Sequence, residues 1–128
     1  MAKEKNGQPT ASELAILQVL WQRGPLPVKE VHAVLEREKE VVYTTILKTM
    51  QVMHERGFLA RESQGRKHIY QAAIAQEDTQ NRLLDSFVQR TFGGSAKRLV
   101  MRALGNMDTT KEDLEELKSL IQKLENDQ

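Results

Sequence analysis

Residues 41–71, VVYTTILKTMQVMHERGFLARESQGRKHIYQ, decide how this 128-residue chain folds. The first half has helical periodicity: Ile46, Met50 and Met53 recur at i, i+4 and i+7, flanked by Val42 and Thr49. That stripe is a buried face. The opposite face carries Thr44, Thr45, Lys48 and Gln51, with Leu47 at the boundary, and Gly57 supplies the helix stop. Residues 58–63 and 68–73 then have the β-formers and partial alternation of two short strands. Between them, Gln64-Gly65-Arg66-Lys67 contains the glycine that a tight turn needs.

A helix, a glycine stop and a basic hairpin in immediate succession are the parts of a winged helix. Between residues 41 and 75 stand five basic side chains (Lys48, Arg56, Arg61, Arg66, Lys67) against two acidic ones, a balance of +3 where the whole chain has +1. A cationic hairpin beside a polar-faced helix suits a phosphate backbone flanking a groove: the cations supply salt-sensitive affinity and the helix reads base edges. Each cation alone reads equally well as a solubilising surface charge, so the specificity lies in the assembly.

Working outward, Thr10 and Glu13 have the spacing of a capping box. Leu14, Leu17, Val19, Leu20 and Trp21 follow as a broad apolar face that ends at Gly24-Pro25. Trp21 lies within this stripe and reads as core, not as a base-stacking platform. Pro25-Leu26-Pro27 predicts an extended connection, and a second helix is expected over residues 28–39 with Val31, Val34 and Leu35 inward. The fold class expected is therefore mainly α with a small β-hairpin wing: a winged helix-turn-helix over residues 10–75, preceded by a disordered tail at 1–9.

Residues 76–128 carry helical patterns and no strand signal, and are too few to close a core alone. Helices are expected over 77–92, with Leu83, Leu84, Phe87 and Val88 apolar, and after Ser95, with Leu99, Val100, Ala103 and Leu104. A last helix is capped by Thr110 with Asp113 or by Thr109 with Glu112. Its Leu114, Leu117, Ile121 and Leu124 alternate by three and four, a coiled-coil-like seam that requires a partner surface. A homodimer is expected, with Leu83, Phe87, Leu99, Leu114, Leu117, Ile121 and Leu124 at its interface. Two recognition helices related by a two-fold axis then read half-sites about one helical turn apart.

Composition narrows the class. With 39% hydrophobic and 29% charged residues the chain is that of a soluble globular protein. It lacks the apolar runs of a membrane span or a secretory signal, so no membrane association and a cytoplasmic location are expected. Residues 1–75 hold eleven basic and eight acidic side chains, and residues 76–128 eight and ten. Cysteine is absent, which removes disulfides, zinc-thiolate clusters and thiol catalysis. His32, His54 and His68 lie in separate elements with no HExxH-type pairing, and Gly93-Gly94 stands in no GxxxxGK context. No enzyme, catalytic set, metal site or cofactor is expected.

Four segments together resemble the penicillinase repressor (BlaI/MecI) family of bacterial transcription regulators: ASELAILQVLW, VVYTTILKTMQVMHERGFL, GRKHIYQ, and FGGSAKRLV followed by TTKEDLEELKSLI. The resemblance covers residues 10–124. It implies a homodimeric repressor with an N-terminal winged helix and a C-terminal three-helix dimerisation region, bound to inverted-repeat double-stranded operators related to TACA and TGTA. β-Lactam-resistance genes or related genes are only one of the targets the resemblance allows. The DNA-contacting positions fall on Tyr43, Thr44, Thr45 and Lys48 of the recognition helix and on Arg61, Arg66 and Lys67 of the wing. In the β-lactam-responsive branch a partner protease cuts an Asn-Phe bond; here that position is Arg102-Ala103. The copper-responsive branch uses a cysteine cluster that this chain lacks. The signal, and whether a protease delivers it, are left open by the resemblance. The competing class is a winged helix that binds a partner protein without specific DNA binding. It predicts an apolar patch where this chain places Thr, Thr, Lys and Gln.

Overall fold

The computed structural model describes residues 7–128 and divides into two compact units, one ending at Leu83 and the other spanning Leu84–Gln128. Of the tail expected at residues 1–9, residues 1–6 lie outside the described residues. The unit boundary falls inside a helix, not at residues 75/76 where the strand pattern ends. Thr79, in that helix's first turns, is buried and donates its hydroxyl to the Ala75 carbonyl at 2.8 Å.

In the first unit, helix α1 (Ala11–Arg23) starts at a complete capping box. The Glu13 amide donates to Thr10 Oγ1, and the Thr10 amide donates to Glu13 Oε1. Strand β1 (Leu26–Pro27) leads directly into helix α2 (Val28–Glu36), which is followed by helix α3 (Tyr43–Glu55), strand β2 (Leu59–Gln64) and strand β3 (Lys67–Ala72). The sheet is antiparallel in the order β1-β3-β2. What the sequence marks only as an extended connection is thus a third strand, pairing Leu26 with Tyr70 and Pro27 with Ile69. Proline is tolerated there because β1 is an edge strand. This architecture is a winged helix.

Helix α2 stops at Glu36, three residues short of the expected Lys39. Beyond Leu35 the run Glu-Arg-Glu-Lys-Glu has nothing apolar to bury. The chain tightens instead into i→i−3 bonds from Arg37 to Val34 and from Glu38 to Leu35.

One core joins the three helices to the sheet. Ile16, Leu17 and Leu20 of α1, Val31 of α2, and Ile46, Met50 and Met53 of α3 close over Phe58, Leu59 and Tyr70. Trp21 packs against this core, half-buried, and its indole N–H donates to the Ile74 carbonyl at 3.0 Å, which ties α1 to the segment after β3. At the end of α3 the Gly57 amide bonds to His54 and the Phe58 amide to Met53, with Gly57 at φ +88°. This is a Schellman stop, sealed by contact between residues of the buried core.

The hairpin closes on the Gln64–Lys67 pair, leaving Gly65-Arg66 as a two-residue loop in which only Gly65 has positive φ, the type II′ pattern. A Cβ on Gly65 would meet nothing within 4 Å. The cost of Gly65→Ala is therefore purely conformational, about 1 kcal/mol, and is expected as a lowered urea midpoint with an unchanged slope.

In the second unit, helix α4 (Gln76–Phe92), which begins in the first unit, continues to its end and is followed by α5 (Ala96–Asn106) and α6 (Lys111–Asn126). Ser95 caps α5, and Thr110 with Asp113, the first of the two expected pairs, makes a full capping box on α6. Among the described residues no helix is long and apolar enough to cross a membrane.

Candidate nucleic-acid interface

Helix α3 separates its two faces as the periodicity requires. Ile46, Met50 and Met53 are buried, Leu47 and Thr49 are half-buried, and Thr44, Thr45, Lys48 and Gln51 are exposed on the far side. The exposed face is polar between its two ends: Val42 and Tyr43, the latter 42% exposed, stand at its leading edge, and Val52, 37% exposed, stands near its far end. Within the helix, Thr49 Oγ1 donates to the Thr45 carbonyl at 2.8 Å, which withdraws one hydroxyl from the outward set. The side chains that remain, two hydroxyls, an ammonium, an amide and a phenol, can donate and accept along base edges.

The wing cations do not share one face. Register pairs Arg61 with Tyr70 and Ser63 with His68, so these four side chains stand on the helix-facing side of the hairpin. Lys67 pairs with Gln64 on the opposite side, and Arg66 occupies the turn. The result is a tip surrounded by charge, with Arg61 at its base. Arg61 Nη1 donates to the hydroxyl of buried Tyr70 at 3.3 Å while the side chain stays exposed, so its position is set by the core. His68 reaches Ser63 at 3.4 Å and packs edge-on against Tyr70.

Arg56 is the exception in the basic segment. Its Nη1 donates to both oxygens of Glu13, at 3.1 and 2.9 Å, and its guanidinium lies 4.6 Å from the Phe58 ring centroid. Glu13 is itself buried. The positive excess of the segment is thus smaller at its surface than the sequence count, because this charge is consumed inside the unit. The pairing spans 43 positions, and nothing local in the sequence signals it.

Of the residues expected at a dimer interface, Phe87, Leu114, Ile121 and Leu124 are exposed in the chain, whereas Leu99 and Leu117 are half-buried within it. Leu83 is half-buried and falls in the first unit. The exposed apolar surface of the second unit is wider than the expected set, taking in Leu84, Val100, Met101, Leu104, Met107 and Leu120. Met101 and Met107 lie outside the apolar positions expected from the sequence. The i, i+4, i+7 spacing of Val100, Leu104 and Met107 is the signal that points to Met107. Arg102 and Ala103 both lie in α5, the arginine exposed and the alanine half-buried. Among the described residues no group of three or more His, Asp or Glu side chains is placed to hold a metal ion.

Comparison with known proteins gives this geometry its context. The penicillinase repressor of Bacillus licheniformis is 24% identical over 123 residues, 96% of each chain. The penicillinase repressor of Staphylococcus aureus is 20% identical over 117 residues, 91% of this chain and 93% of its own. The methicillin resistance regulatory protein MecI of Staphylococcus aureus strain N315 is 17% identical over 119 residues, 93% of this chain and 97% of its own. The solution structure of the DNA binding domain of the repressor BlaI is similar in fold, with a TM-score of 0.51 and 24% identity over 56% of this chain and 87% of that domain. The family model described as Penicillinase repressor matches residues 9–123, through both compact units, and the chain belongs to that family.

Proposed function

We propose that this protein is a cytoplasmic, sequence-specific transcriptional repressor that occupies an inverted-repeat double-stranded DNA operator of the TACA/TGTA type as a homodimer. The observation that carries the reading is the two-sided construction of α3: a stripe sunk in the core and an exposed Thr44, Thr45, Lys48, Gln51 face beside a cation-tipped wing. The names of the relatives, penicillinase repressor and methicillin resistance regulatory protein, support repression as the outcome and resistance genes as one target class. The exposed apolar surface of α5 and α6 supports the dimer, because a monomer rarely leaves so many large apolar side chains to water.

In this reading the recognition helix lies in the major groove. Thr44 and Thr45 touch thymine methyls or phosphates, and Lys48 donates to a guanine or a phosphate. Arg61, Arg66 and Lys67 hold the flanking backbone and supply the salt dependence. Release by a protease of Asn-Phe specificity lacks its bond at Arg102-Ala103, so a signal partner of another kind or specificity ends repression.

Fluorescence anisotropy tests the reading, with a duplex carrying the TACA/TGTA dyad and a scrambled duplex at two salt concentrations. Tight dyad binding and weaker, more salt-sensitive scrambled binding is the expected result. Equal weak binding to both, followed by no enrichment from random DNA, points to a protein-binding winged helix. Lys48→Ala is expected to weaken dyad binding by about tenfold, equivalent to about 1 to 2 kcal/mol. A loss confined to the dyad identifies a base contact; an equal loss on both duplexes identifies a phosphate contact.

A further inference from the structure

We infer that His32 is a positioning residue for DNA reading, holding the first turn of the recognition helix from below; the inference rests on the repressor reading above. The segment from residue 37 to residue 42 joins α2 to α3 without a glycine or proline, and four of its six residues are charged. After Glu38 it receives little support from backbone pairing. Among the described residues the one side-chain hydrogen bond that reaches it comes from His32, whose Nε2 lies 2.8 Å from the Val41 carbonyl. A carbonyl only accepts, so Nε2 carries the proton and the bond is a donation from α2 to the residue just ahead of the α3 cap.

The same ring meets Tyr43 edge-on, with centroids 5.6 Å apart and planes at 85°. Glu36, one turn further along α2, has Oε2 3.7 Å from the same Nε2. The imidazole side chain is 17% exposed, so it is enclosed by these groups and does not lie on the surface. One ring therefore fixes two things: the path of the backbone into α3, through Val41, and the direction of Tyr43, the first side chain on the exposed face. Val42, the N-cap between them, has no side-chain hydrogen bond to the first turn, in contrast to Thr10, Ser95 and Thr110 at α1, α5 and α6. The start of α3 thus relies on tertiary support where those three helices carry their own cap; α2, with Pro27 at its N-cap, shares the lack of a side-chain cap.

Three variants separate the donated bond from the ring and from general stability. His32→Leu fills much of the space without a donor. His32→Gln returns an N–H at the reach of Nε2. Tyr43→Leu removes the phenol alone. In the free protein, hydrogen exchange of the Thr45 and Ile46 amides, which both donate to the Val42 carbonyl, is expected to accelerate in His32→Leu by about fivefold to tenfold, the loss of one hydrogen bond, and to return toward wild type in His32→Gln. On DNA, the ratio of dyad to scrambled affinity is expected to fall about tenfold in His32→Leu and recover in His32→Gln, with the salt slope unchanged.

Unchanged exchange at the first turn of α3 overturns the inference whatever the protein binds. Exchange that accelerates uniformly across the first unit also overturns it, since that marks a merely structural residue. If wild type itself does not discriminate the two duplexes, the repressor reading fails, and the exchange experiment still decides the role of His32 in setting the helix start.

Discussion

Arg56→Ala is expected to lower the stability of the winged-helix unit by about 2 to 3 kcal/mol, at or just below the roughly 3 to 5 kcal/mol for breaking a fully buried ion pair, because the arginine itself keeps some contact with solvent. The physical reason is asymmetric. The Glu13 side chain is 8% exposed and Arg56 27%, so deleting the arginine strands a carboxylate in the interior with only the Thr10 amide left to bond it. The contact between the guanidinium and the Phe58 ring is lost as well. Urea denaturation of the full chain measures the change. Arg66→Ala removes the same formal charge from the hairpin turn and is expected to alter stability by less than about 0.5 kcal/mol. On DNA the order reverses: Arg66→Ala reduces the salt slope by about one phosphate contact, and folded Arg56→Ala leaves it unchanged. Equal stability losses in the two variants would remove Arg56 from the interior and restore it to the interface.

The second large effect belongs to the C-terminal seam. Ile121→Glu is expected to produce a monomer by sedimentation and to weaken operator binding by at least about a hundredfold, because linked half-site binding adds two to four orders of magnitude that a monomer forfeits. Ile121 suits this test because it is already 54% exposed in the chain, so the substitution changes little within the monomer. Leu117, at the centre of the same heptad pattern, is half-buried within its own chain and a glutamate there would damage the unit itself. A dimer of unchanged affinity in Ile121→Glu, with Leu124→Glu behaving alike, would place the contact between copies elsewhere.

Much of this architecture was legible in the chain. The Ile46, Met50, Met53 stripe, the Gly57 stop and the Thr10 and Thr110 capping boxes are local: each is set by side chains within one or two turns of each other, and each stands where the pattern puts it. The outward face of α3 follows from the inward one, since a helix that buries one stripe presents the other. The three-helix pattern of the C-terminal region and its apolar spacings were readable for the same reason.

What escaped the sequence is non-local. Nothing near Arg56 says that it meets Glu13, 43 positions earlier, and so counts toward the interior and not toward the cationic surface. Strand β1 is two residues long and contains proline, too short and too poor a β-former to announce itself; it exists because β3 offers it an edge. Arg61 and Lys67 share one charged hairpin in the sequence but stand on opposite faces, a consequence of register. His32 reads as an unremarkable helical residue until the turn after α2 brings Val41 and Tyr43 against it. By itself the sequence determined the order of the helices and the hairpin, the polarity of their faces, the capped helix starts and the glycine stops, because those depend on the short-range geometry of a helix or a turn. Which charges are spent inside the fold, which face the solvent and which side chain steadies the reading helix were decided only by tertiary structure, where burial and pairing join residues that the chain keeps far apart.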